Sequence, residues 1–153
     1  MMDDRRIVER QLGRPPRAFR RVVVRCPFGL PAVTEQAPFD AAGMPFPTQF
    51  WLTCPHLGTA IARVEAGGGV ERWTSAAEAD PELRASLVRA HAEQRALRPE
   101  LPGGIGGASR GGSLKCLHAH AAFALARPGY TLGDRILADA APMWPQARCC
   151  TPL

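Results

Sequence analysis

Thr48-Gln49-Phe50-Trp51-Leu52-Thr53-Cys54-Pro55-His56-Leu57 is the stretch on which the fold class turns. Six of its first seven residues are aromatic, β-branched or apolar, and the run reads as a strand. Pro55 then occupies a first helical position, where its missing N–H costs nothing. Leu57, Ile61 and Val64 continue at helical spacing until Gly67-Gly68-Gly69, which predicts a helix over 55–66.

Upstream, Phe19-Arg20-Arg21-Val22-Val23-Val24-Arg25-Cys26 is a second β-branched run, stopped by Pro27. Residues 31–36 form a candidate short strand, and 38–47 are turn-rich. Residues 3–12 carry Asp3 and Asp4 at a helix start and are closed by Gly13. Downstream, 71–79 read as connector. Asp80-Pro81 opens a helix in which Leu83, Leu87, Ala90, Gln94 and Leu97 repeat until Pro99. Residues 102–112 are glycine-rich. Ser113 is the expected cap of a helix over 114–126, and Thr131 or Gly133 opens a last one through Ala141. The class is α+β: a small two- or three-stranded sheet packed against four or five helices. One domain is expected over 1–153, with 1–18 a basic N-terminal helix or arm and 142–153 a loose C-terminal tail.

The 153 residues are 46% hydrophobic and 22% charged, enough to build a core without disulfides. No apolar run approaches the roughly 20 residues of a membrane span, and the N-terminus lacks the apolar core of a secretory signal. A cytoplasmic location with reduced cysteines is the expectation, and five cysteines do not make a complete disulfide framework. The net charge of +5 resides in residues 1–25, where eight arginines face Asp3, Asp4 and Glu9. Lys115 is the only lysine, so the arginines reflect genome composition more than a designed basic patch. No nucleic-acid motif or stacking pattern accompanies them. Neither a membrane nor a nucleic-acid partner is expected.

The chemistry sits in cysteines at element boundaries. Cys116 lies at a predicted helix start beside Lys115, where unpaired N–H groups and a cation favour a thiolate. His120, four residues on, shares its helical face, whereas His118 points elsewhere in a regular helix. Cys116 and His120 are therefore the candidate nucleophile–base pair. Cys54 precedes Pro55 at an N-cap position, and burial at the strand–helix corner explains it equally well. Cys26 ends the first long strand. Were the two long strands neighbours, Cys26 and Cys54 would approach each other. Cys26, Cys54 and Cys116 with His118 or His120 would then form a metal site, zinc by first choice and an iron–sulfur cluster by second. Cys149-Cys150 is a vicinal pair in the tail that could fold back as a ligand or resolving thiol. Gly106, Gly107, Arg110 and Lys115 form a glycine-rich approach to the Cys116 helix, suited to a small anionic ligand. Glu35 and Asp40 are carboxylates near the first Cys-Pro pair. His91, beside Leu87 on its helix, reads as structural. No phosphate-loop, GxSxG, HExxH or dinucleotide motif occurs.

Three blocks also carry a resemblance: Arg25-Cys26-Pro27-Phe28-Gly29-Leu30-Pro31-Ala32-Val33, Pro47-Thr48-Gln49-Phe50-Trp51-Leu52-Thr53-Cys54-Pro55 and Leu114-Lys115-Cys116-Leu117-His118-Ala119-His120. Together, over roughly residues 5–145, they resemble the bacterial family known as domain of unknown function 501, in an actinobacterial composition. The resemblance implies a small intracellular bacterial protein and assigns no reaction. The functional expectations are a metal-binding thiol site, a metal-free cysteine enzyme acting on a small anionic substrate, or a non-enzymatic adaptor using the basic arm.

Overall fold

The computed structural model describes residues 3–108 and 114–149. Helix α1 (Asp4–Leu12) is capped by the Asp3 carboxylate and closed by Gly13 in the left-handed region. It lays Ile7 and Val8 on the core, and Gln11 donates to the Pro31 carbonyl at 2.8 Å. The basic N-terminal residues therefore belong to a docked helix. Three antiparallel strands follow: β1 (Phe19–Arg25), β2 (Pro31–Gln36) and β3 (Phe50–Leu52), in the order β1-β2-β3. β2 is buried along its whole length.

That order separates the two long strands. Cys26 donates its N–H to Leu30 on one side of β2, and Cys54 donates to Ala32 on the other. β1 and β3 are strand neighbours of β2 and not of each other. The expectation of Cys26 beside Cys54 as adjacent strand ends gives way to two thiols bracketing the start of β2.

Helix α2 (Pro55–Ala66) starts as expected, with the Cys54 sulfur accepting the Leu57 N–H at 3.5 Å. The expected connector at 71–79 is instead the body of α3 (Gly69–Ala79). The three glycines end α2 but form only a corner. Gly68 is left-handed at φ 85°, and a Cβ at Gly69 would lie 2.5 Å from the Val64 carbonyl oxygen. The chain re-enters helix at once, and the Trp73 indole N–H donates to Asp139 at 2.9 Å. Next come α4 (Pro81–Leu97), a single 3-10 turn at Ile105–Gly107, α5 (Leu117–Ala126) and α6 (Thr131–Asp139). Among the described residues there are thus six α-helices, where four or five were expected. Met143 and Trp144 pack against the core, so the C-terminal segment is anchored at least that far.

The hydrophobic core lies between the inner face of the sheet and α5, with Phe50 edge-on to Phe123 and Phe123 edge-on to Tyr130. Two histidines are built into it. His91 accepts the Ile105 N–H at Nδ1, 3.0 Å, and its ring packs edge-on to His120 at 5.9 Å. His120 bonds the Tyr130 hydroxyl at 2.7 Å. Burial first, and Arg95 second, lowers the pKa of His91; burial first, and His91 second, pushes His120 down to about 3. Both rings are neutral in the fold, whereas the unfolded chain would protonate them near pH 6.5. The stability contributed by these two rings should be complete above pH 6.5 and decline as the pH falls below it. His120 alone should cost about 2 kcal/mol at pH 5. Urea midpoints at pH 7.5 and 5 test this in a His118→Gln background, which removes a ring whose raised pKa acts in the opposite sense, and equal midpoints there would contradict it.

Candidate functional site

Helix α5 begins three residues later than a Ser113 cap would place it. Lys115 is a non-glycine residue at φ 47°, and Cys116 is the N-cap residue. The Cys116 side chain makes no capping bond. Glu65 caps the helix in its place, reaching from the last turn of α2 to accept the Leu117 N–H at 2.8 Å. Its other oxygen lies 3.2 Å from His118 Nδ1. The Nε2–H of the same ring donates to the Gly58 carbonyl at 3.1 Å. Both nitrogens therefore face acceptors, and the ring is an imidazolium. The bond to Cys116 is the largest contribution to a His118 pKa raised to about 9; Gly58 and Glu65 add to it against the cost of burial. Burial by itself would raise the Cys116 thiol, but the neighbouring His118 ring and the Ala119 N–H outweigh that and leave it below its ordinary value.

One ligand atom from each of Glu65, Cys116 and His118 lies within 4.8 Å of the other two. The group opens on a cleft of about 350 Å³ lined by Thr48, Phe50, Trp51, Leu52, Gly106 and Ala119 together with Cys116 and His118. Among the described residues, no other group of three histidine, cysteine or acidic side chains is this close.

The sequence-predicted residues divide accordingly. Cys116 and His118 converge. His120, expected to share a face with Cys116, is 1% exposed and turned to Tyr130 in the core. With Cys116 at the N-cap position, the i to i+4 relation inside a helix no longer applies to the pair. Cys26 and Cys54 are outside the group. Cys54 is buried, its thiol raised by burial first and by Cys149 and Cys26 after that. The C-terminal segment is held over this corner by His56 Nε2, 3.0 Å from the Pro142 carbonyl. The four described cysteines are free. Gly106 lines the cleft, and Gly107 (φ 78°) backs onto Pro47, where a Cβ would come within 2.9 Å. Lys115 is exposed. Arg110 and Cys150 lie outside the described residues, as does Ser113. Glu35 and Asp40 are paired with Arg21 and Arg17, both at 3.0 Å.

Glu65 was missed by sequence reasoning. One signal was available: a carboxylate in the last turn of a helix opposes the negative end of the helix dipole. A residue placed there against local preference is held by something distant in sequence.

Fold and site together define an α+β protein with a Glu/Cys/His group at the mouth of a cleft, where a helix start faces a strand edge. A family model described as a protein of unknown function (DUF501) matches residues 22–103, more than half of the chain, and the chain belongs to that family. The matched stretch contains Cys26, Cys54 and Glu65, while Cys116 and His118 lie beyond it. No curated protein and no solved structure matches the chain. Among the described residues no helix is long and apolar enough to cross a membrane.

Proposed function

We propose that Glu65, Cys116 and His118 hold a zinc ion whose remaining coordination position faces the cleft, for metal-assisted hydrolysis. The observation that carries this reading is the clamp on His118. Its Nε2–H is given to a backbone carbonyl, the outer bond that metal-ligating histidines commonly make, and Nδ1 is turned to Glu65. A catalytic triad places base and carboxylate partners on opposite ring nitrogens. Here the three donors gather around one point. A sulfur, nitrogen and oxygen donor set suits zinc. An iron–sulfur cluster, with its thiolate ligands, is poorly matched by a group holding one cysteine. Three protein ligands leave a fourth position for water or substrate, and zinc there would polarise an oxygen and lower the pKa of bound water. A reducing bacterial cytoplasm, in which Cys116 stays a free ligand, belongs to this reading.

Protein expressed with zinc and iron available should contain about one zinc per chain. Cys116→Ser and His118→Ala should each weaken zinc binding by about 100-fold or more. Glu65→Gln keeps an acceptor for the Leu117 N–H, so it should lose affinity while remaining folded. Elemental analysis showing neither metal in the wild type would end the reading.

A second reading, a metal-free cysteine nucleophile, is favoured by the lowered Cys116 thiol beside the His118 imidazolium. Alkylation of zinc-free protein at pH 7 should label Cys116 well before Cys54, and added zinc should protect it. Protection supports the metal reading. Fast labelling unaffected by zinc supports the nucleophile.

A further inference from the structure

We infer that the cleft receives an extended acidic peptide segment as an added strand on the free edge of β3. This rests on the proposed site for its functional meaning, since Cys116 and His118 form the opposite wall.

The register of β3 supplies the first support. Val33 pairs with Leu52, Thr34 with Trp51 and Glu35 with Phe50. The flanking bonds run from Gln36 N–H to Gln49 O at 2.7 Å and from Thr53 N–H to Ala32 O at 2.9 Å. Bonded antiparallel pairs alternate, so Trp51 exchanges bonds with Thr34. The N–H and C=O groups of Phe50 and Leu52 therefore point away from β2. Among the described residues no strand lies on that side and nothing bonds to those groups.

Their surroundings supply the second. Thr48 and the consecutive residues Phe50, Trp51 and Leu52 line the cleft, as residues along a strand edge do. Phe50 and Leu52 are each only 7% exposed, so this edge is a cleft floor and not open surface. Buried backbone polar groups require partners. An extended peptide offers them at matching spacing, as strand addition does elsewhere. From Thr48 to Leu52 the edge runs about 13 Å.

Charge sets the side-chain chemistry. Trp51 projects on the opposite face from Phe50 and Leu52. It also borders a smaller groove with Arg14, Arg17, Thr34, Gln36 and Phe46. The Arg14 guanidinium lies 5.7 Å from the centre of the Trp51 ring and has no carboxylate partner among the described residues. A peptide strand paired to β3 would place alternate side chains beside Trp51, where Arg14 favours a carboxylate.

The test uses a fluorescein-labelled peptide of about eight residues, alternating glutamate and valine, added to nitrogen-15-labelled protein. Both the zinc-loaded wild type and the same protein stripped of metal with a chelator are titrated. In both, the Phe50 and Leu52 amides should gain at least about tenfold protection from hydrogen exchange, while Trp51 is unchanged. Methylating alternate peptide nitrogens should weaken binding at least about tenfold. Arg14→Glu should reverse the preference between this peptide and one alternating lysine and valine. Absence of binding, binding without protection at Phe50 and Leu52, or equal binding of the methylated peptide would each overturn the inference. Because the readout needs no metal, a protein without zinc that still shows the protection loses only the zinc reading. A zinc-loaded protein without protection loses only this one.

Discussion

Gly104→Ala should cost about 3 kcal/mol of folding stability, the sum of overpacking and a lost buried hydrogen bond. A Cβ on residue 104 would stand 2.1 Å from His91 Nδ1 and 2.8 Å from Cγ. The ring cannot retreat without loss. It is 2% exposed, accepts the Ile105 N–H and packs against His120. Yielding there would also disturb the 105–107 turn, whose Gly106 lines the cleft, so cleft binding should weaken along with stability. Urea denaturation measures the first effect. A midpoint within experimental error of wild type would show that the close approach is not maintained in solution. In the double variant with His91→Ala, the two losses should fall short of additivity, because the small side chain at 91 removes the collision.

Arg98→Met should be of similar size, about 3 kcal/mol. Arg98 is a guanidinium only 3% exposed that donates to the backbone carbonyls of Gln36 and Phe46. It thereby joins the end of the central strand to the loop leading into β3. Burial is the main reason its pKa is lowered, with Arg20 adding to the effect. Methionine fills similar space but leaves both carbonyls unpaired. Arg98→Lys should show an intermediate loss, since one ammonium cannot reproduce a planar fork across two acceptors. If Arg98→Met matches the wild type in urea, the cost of burying the charge equals what its bonds return, as in some buried ion pairs.

Both residues illustrate how the sequence and structure divide the information. Arg98 and Gly104 flank Pro99 and a glycine-rich run, and sequence alone marks that region as a helix end and a loop. Their importance comes from partners 52 and 62 residues away for Arg98, and from a ring 13 positions back for Gly104.

What the sequence determined by itself was local. Proline after Cys54 and after Asp80 marked two helix starts to the residue, because a missing N–H and a fixed φ act within one turn. β-Branched and aromatic runs marked the strands, and Gly13 marked the end of α1. The α+β class followed from those signals. Cys116 and His118 were visible as candidates, since a thiol and imidazole near a helix start carry chemical potential wherever they occur. Tertiary structure decided the rest. It inserted β2 between β1 and β3, so that Cys26 and Cys54 flank the start of β2 instead of ending adjacent strands. It moved the start of α5 to make Cys116 the cap, sent His120 into the core, and brought Glu65 across 53 residues to meet His118. Strand order and side-chain convergence depend on which apolar faces bury each other, and no window of a few residues contains that.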